Sequence, residues 1–178
     1  SQYQFVVDAS KDLSTLDILL KEWDFDIKVI FLLRDVRAYI SSIRKKSDKK
    51  KKSVKDAICM SYPYLMWYWL RNNRKYLEYL QRNFIDYCKI TYEDLCFKND
   101  HTLNKISRFL DIPVDFQLSD FSHSNSHILR GNGMRFRKKK LSGISYDYSW
   151  MLDTKHFHYP IITNRCVKKI SRLLDSDL

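Results

Sequence analysis

The run Ile27-Lys28-Val29-Ile30-Phe31-Leu32-Leu33 permits few structures, because it shows no polar alternation after Lys28 and stops abruptly at Arg34-Asp35-Val36-Arg37. A continuous apolar stretch of this kind suits a strand covered on both faces in a parallel sheet. Beyond Arg34 the apolar spacing turns helical, which predicts a strand over 27–33 and a helix over 36–46. The charged group then stands at the carboxyl end of a strand, where open α/β sheets bind their ligands. Arg34 and Ser42, about two helical turns apart, suit one phosphate held between a guanidinium fork and a hydroxyl. A strand followed by a solvated basic helix satisfies the same residues, so this stretch alone leaves both readings open.

The neighbouring segments extend the rhythm. Gln4-Phe5-Val6-Val7 reads as a short buried strand ending at Asp8-Ala9-Ser10-Lys11-Asp12. Ser14-Thr15-Leu16-Asp17 has the capping-box pattern, with Asp in place of Glu, and predicts a helix to about Trp23. Strand, helix, strand, helix in this order predicts an α/β domain with a mainly parallel sheet and right-handed crossovers. From Val54 to about Gln81 the chain is helix-like and aromatic, and Pro63 inside that pattern predicts a kink or two abutting helices. The aromatic cluster Tyr64-Leu65-Met66-Trp67-Tyr68-Trp69-Leu70 is read as core rather than as a stacking platform. Phe84–Ile90 predicts another strand, and Leu103, Ile106, Phe109 and Leu110 mark a helix over roughly 100–110. Residues 112–160 are irregular, and Asn164 caps a last amphipathic helix carrying Cys166, Val167, Ile170, Leu173 and Leu174.

Composition sets the outer bounds. A chain of 178 residues is one domain, 1–178, with a basic loop at 44–55 and a variable carboxyl region at 141–178. The 44% hydrophobic content excludes a disordered chain, and 3 Gly with 3 Pro argue against a loop-rich β-sandwich. A formal charge of +11 calls for an anionic ligand or partner, without distinguishing a nucleotide from a nucleic acid, a sulfated glycan or a membrane surface. Cys59, Cys88, Cys96 and Cys166 lack metal-ligand spacing, so free thiols and no metal are expected. No apolar run reaches the roughly 18 residues of a membrane helix and no signal peptide is visible, which reads as cytoplasmic. The chain opens at Ser1 directly before a strand, so an upstream region is expected, where a targeting signal or membrane anchor would lie.

Three segments in this order resemble the sulfotransferase superfamily, enzymes that use 3′-phosphoadenosine 5′-phosphosulfate (PAPS). Val6-Val7-Asp8-Ala9-Ser10-Lys11-Asp12 is similar to the strand end that the family places beside the acceptor hydroxyl. Leu33-Arg34-Asp35-Val36-Arg37-Ala38 with Ser42 resembles the 3′-phosphate site, Val36 replacing the usual Pro. His127-Ile128-Leu129-Arg130-Gly131-Asn132-Gly133-Met134-Arg135 resembles the late His-x-x-x-Gly-Asn-x-x-Arg loop that closes over the nucleotide. Between them, Tyr92-Glu93-Asp94-Leu95 matches the "Tyr-Glu-Asp-Leu" passage, and Phe109-Leu110-Asp111-Ile112 the "Phe-Leu-Gly-Ile"-like segment. The match covers roughly residues 4–135. One departure is large: the family's Gly-rich 5′-phosphosulfate loop has no counterpart, since no Gly precedes Gly131. The resemblance therefore implies the carboxyl-terminal majority of a three-layer P-loop NTPase-like fold, truncated at its amino end.

It also implies the chemistry. A planar, charge-delocalised sulfuryl group passes in line between oxygens, so positioning and electrostatics dominate. Arg34 and Ser42 would anchor the 3′-phosphate, with Asn132 and Arg135 in support and Gly131 permitting close backbone approach. Lys11 would help neutralise the leaving bisphosphate, and Asp8 would serve as the general base, with His123, His127, His156 and His158 as rivals. The acceptor would be a hydroxyl- or amine-bearing carbohydrate, lipid or small molecule, an acidic glycan being hinted at by the basic block. Tyr146, Tyr148, Trp150 and Tyr159 would line its pocket or pack a variable region. Two rivals remain at this point. A nucleic-acid-binding module draws on the charge and on Arg135-Phe136-Arg137-Lys138-Lys139-Lys140, but lacks any recognisable nucleic-acid signature. Against a nucleotide kinase of P-loop type, only Arg34/Ser42 and the Gly131-Asn132-Gly133-Met134-Arg135 segment favour the sulfuryl donor, and nucleotide choice discriminates: a requirement for the 3′-phosphate favours sulfotransfer, ATP preference a kinase. The expectation is a nucleotide ligand and no nucleic acid.

Overall fold

The computed structural model describes residues 6–9, 12–22, 26–47, 58–112, 145–152 and 172. Its centre is the predicted strand, β1 (Val29–Leu33), paired in parallel with β2 (Tyr87–Thr91). The register sets Phe31 against Lys89 and Leu33 against Thr91, so these share one face, while Ile30, Leu32, Cys88 and Ile90 share the other. Helices α2 (Val36–Ser47) and α3 (Tyr62–Arg82) lie in the crossover between the strands. Among the described residues this is a mixed helix–strand fold with a small parallel sheet, consistent with the α/β expectation.

The core forms where α2 and α3 meet the Phe31 face. Phe31, Leu33, Val36, Ile40, Leu65, Trp69 and Leu77 make one buried cluster. At 3-and-4 spacing the core residues of α3, Leu65, Trp69, Leu77 and Leu80, fall on one stripe. On the other face Cys88 and Ile90 are buried, with α4 (Tyr92–Phe97) and α5 (Asn99–Leu110) packed against β2. Ile30 and Leu32 are exposed, so the described residues cover β1 on one face, where the sequence predicts two. Lys28 explains the interruption before the strand: its ammonium reaches back 3.2 Å to the Phe109 carbonyl, a cation at the carboxyl end of α5.

Several boundaries correct the sequence reading. Val6 and Val7 are exposed and form no strand, while Gln4 and Phe5 lie outside the described residues. In α1 (Leu13–Glu22) the cap is Asp12, whose carboxylate accepts from the Ser14 amide at 3.2 Å and from its hydroxyl at 2.7 Å. Asp17, expected to complete a capping box, instead accepts from Lys21 at 2.6 Å and from the Tyr79 hydroxyl at 2.8 Å. Of the two outcomes expected at Pro63, a kink or two abutting helices, the second is found: helical Ile58 and Cys59 give way to a turn at 60–61, and Pro63 stands in the first turn of α3, where its missing N–H costs nothing. Arg44, Lys45 and Lys46 belong to the end of α2, as the helix over 36–46 predicts, and 48–55 lie outside the described residues. Cys59, Cys88 and Cys96 are free thiols, as expected.

Both long helices before and after β2 end in a left-handed residue. At the end of α3 Phe84 takes φ 52°, its amide donates to the Gln81 carbonyl, and the Ile85 amide donates to Leu80. That is a Schellman closure, with buried Ile85 and Leu80 as its apolar pair. At the end of α5 Asp111 takes φ 57° and ψ 42°, and the Ile112 amide donates to Ser107 at 3.1 Å.

Candidate functional site

Two strand-to-helix passages meet at the carboxyl ends of β1 and β2, and each is locked by a carboxylate. In the first, the Asp35 carbonyl accepts from the Tyr39 amide at 3.0 Å and its carboxylate from the Arg37 amide at 2.7 Å, which makes Asp35 the cap of α2. In the second, Thr91 accepts from the Asp94 amide at 2.9 Å and donates to the Asp94 carboxylate at 2.8 Å. Glu93 joins the two: its carboxylate accepts from the Asp35 amide at 3.2 Å. The sheet register and this cross-link fix where Arg34 leaves the strand.

Arg34 is built into the site. Its guanidinium lies over the Tyr92 ring, 5.0 Å from the centroid, and Nη2 donates to Asp147 Oδ2 at 3.3 Å. Nε is buried and has no hydrogen-bond partner among the described residues. A buried guanidinium N–H without an acceptor is costly, so this proton is open to an incoming hydrogen-bond acceptor. Arg37, by contrast, is spent internally. It forks onto Asp35, with Nε 3.0 Å from Oδ1 and Nη2 2.5 Å from Oδ2, and covers the Trp150 ring at 4.8 Å. Asp35 chiefly, against the cost of burial, raises the Arg37 pKa further.

The segment 145–152 roofs this end of the sheet. The Tyr92 hydroxyl donates to the Ser145 carbonyl at 3.1 Å and accepts from the Asp147 amide at 3.2 Å. Lys45 of α2 donates to Ser149 at 2.7 Å, and the indole N–H of buried Trp150 donates to the Tyr146 hydroxyl at 3.1 Å. Tyr146 stacks on Tyr92 at 5.6 Å and meets Tyr148 edge-on at 4.7 Å. Hydrogen bonds from Ser149, with Arg34 adding to them, hold the Asp147 carboxyl below the usual range despite partial burial. Burial pushes the Tyr92 and Tyr146 phenols up, and both rings remain neutral hydrogen-bonding groups.

The expected site residues fare differently. Ser42 lies half-buried in α2, six residues beyond Val36 and so about 9 Å along the axis. No direct hydrogen bond joins it to Arg34, whose described partners are Asp147 and Tyr92. Its neighbour Ser41 is the serine turned inward, its buried hydroxyl lacking a partner among the described residues. Asp8 is exposed and does not close a strand, because Val6 and Val7 form none. Lys11, Gly131, Asn132, Arg135, His123, His127, His156, His158 and Tyr159 lie outside the described residues. Asp147 and Glu93 were not singled out from sequence. The first is 113 positions from Arg34 and carries no local signal, whereas the second sits in the Tyr-Glu-Asp-Leu passage.

Among the described residues no group of three His, Cys, Asp or Glu side chains is placed to hold a metal ion. No helix of the described residues is long and apolar enough to cross a membrane. No known family, curated protein or solved structure matches the chain.

Proposed function

We propose that the chain forms the nucleotide- and acceptor-binding majority of a sulfotransferase with a three-layer P-loop-type fold. It would transfer a sulfuryl group from PAPS to a hydroxyl or amine of a carbohydrate, lipid or small-molecule acceptor. The observation that carries this reading is Arg34: a guanidinium at the carboxyl end of a parallel strand, braced on Tyr92, with an orphaned Nε. Asp111 adds support, since its left-handed backbone stands where the resembling family segment carries Gly.

The co-substrate supplies the activated sulfuryl group; the residues of this chain position it. Arg34 and Ser42 hold the 3′-phosphate, and Glu93 and Asp35 keep the Arg34 turn in place. Asp147 occupies Arg34 as an internal carboxylate and shares or yields that position when a phosphate enters. Gly131, Asn132 and Arg135 close over the nucleotide, and Lys11 counters charge on the leaving group, as the resemblance implies. Asp8, exposed to solvent, is the candidate base for the acceptor proton. A general base contributes about 10²- to 10⁴-fold in rate.

The test is transfer of labelled sulfuryl from PAPS to a panel of hydroxyl and amine acceptors. Label reaching an acceptor, and falling about tenfold or more in Arg34→Ala, is the expected result, since a hydrogen bond to a charged group is worth about 1.5–3 kcal/mol. Phosphoryl transfer from ATP with no sulfuryl transfer would replace this reading with a kinase.

A further inference from the structure

The solvent side of α3 does not look like the solvent side of an ordinary amphipathic helix. Opposite the Leu65, Trp69, Leu77 and Leu80 stripe, 3-and-4 spacing aligns Tyr64, Trp67, Tyr68, Arg71 and Lys75 on one face. Trp67 is 50% and Tyr68 39% exposed, while Arg71 and Lys75 are also open to solvent. Partly buried Tyr64 braces both rings, with centroids 5.8 Å from Trp67 and 6.2 Å from Tyr68. Arg71 lies over the Trp67 ring at 5.1 Å, and Arg44 of α2 extends the cationic rim over Tyr62 at 4.7 Å. No acid occurs in α3 before Glu78. An exposed aromatic ridge edged with cations is an informative departure from the usual polar surface.

We propose that this face of α3 docks peripherally on an anionic lipid bilayer. Trp and Tyr partition to the headgroup level, where an apolar ring and a polar tip are both accommodated. Lys and Arg beside them are drawn to acidic lipid, each contributing independently of any pocket. The chain's charge of +11 supplies the complementary long-range attraction. Shape favours a bilayer over single-stranded nucleic acid. A nucleobase stacks on an open ring face, but one Trp67 face already carries Arg71, and Tyr64 and Tyr68 lie nearly parallel at 16° to each other. The remaining ring edges on a convex helix suit a flat interface rather than a strand-tracking groove. The proposal stands apart from sulfuryl transfer, since none of these residues belongs to the Arg34 site.

The test is co-sedimentation of the full chain with phosphatidylcholine vesicles containing about one-third phosphatidylserine, against phosphatidylcholine alone, from low to high salt. Binding should require the acidic lipid and weaken with salt. Arg71→Gln/Lys75→Gln should weaken partitioning roughly fivefold for each cation removed. Trp67→Ala/Tyr68→Ala should weaken it at least about fivefold at constant charge, because buried apolar area is lost. Far-UV circular dichroism checks that the fold is retained. A parent that ignores the vesicles, or an aromatic variant that partitions as well as the parent, overturns the proposal. Single-stranded RNA binding through the same residues without vesicle binding assigns the face to nucleic acid instead.

Discussion

Asp147→Asn removes one charge from the Arg34 site and almost no volume. The pair it breaks has Nη2 and Oδ2 3.3 Å apart, with the Arg34 and Asp147 side chains 31% and 50% exposed. Coulomb's law at an effective dielectric near 20 gives about 5 kcal/mol for such a pair, which is an upper bound. Solvent screening at this exposure brings the net value to about 0.2–1 kcal/mol. If Asp147 competes with an incoming anion, its removal returns that amount to binding, or at most about a fivefold tighter dissociation constant. Asparagine keeps a carbonyl oxygen for the Ser149 amide, now 3.0 Å from Oδ1, so the turn over the site persists. Isothermal titration of parent and variant with adenosine 3′,5′-bisphosphate measures the effect. Tighter binding by up to about fivefold is the expected result, with little change in thermal stability. Weaker binding in the variant would refute competition and make Asp147 a residue that orients Arg34.

Two stability predictions follow from backbone and charge. Phe84, 94% exposed at φ 52°, occupies a position that favours glycine, so Phe84→Gly should stabilise the fold by about 1 kcal/mol in urea denaturation; a destabilised variant would count against the Schellman closure. Asp94 and Asp147 have pKa values lowered from an ordinary 3.8, Asp94 by Thr91 foremost and Asp147 by Ser149 foremost. Their contribution is full above that value and is lost as pH falls through the depressed ones. Burial raises Tyr39, Tyr76, Tyr92 and Tyr146 from an ordinary 10.0, so their contribution is full below 10.0 and is lost as pH rises through the raised values. Denaturation midpoints should form a plateau between those limits; a steep slope near neutral pH would contradict it.

The sequence made β1, α2, β2 and α5 legible because each carries a strong local signal: a continuous apolar run, a change to helical spacing, or a 3-and-4 stripe. Pro63 made the break between two abutting helices legible, but apolar spacing continues through it, so periodicity alone left a kinked single helix equally open. Val6 and Val7 have strand-like chemistry yet remain exposed, because a short β-branched pair acquires strand geometry only from a neighbour to pair with. The aromatic cluster was read as core in one piece. The same spacing that buries Leu65 and Trp69 turns Trp67 and Tyr68 outward, so that signal was present in the sequence and went unused. Arg34 was legible from its place after the strand. Asp147 was not, because its pairing depends on a segment 113 residues away that has no regular pattern.

The central claim, that Arg34 and Ser42 form a 3′-phosphate site, is tested most directly by calorimetric binding of adenosine 3′,5′-bisphosphate against 5′-AMP, in the parent and in Arg34→Ala/Ser42→Ala. The account predicts a preference for the bisphosphate that disappears in the variant, the lost charge-assisted contact costing about 1.5–3 kcal/mol. A folded chain that binds both nucleotides equally, or a preference that survives the substitutions, would contradict it.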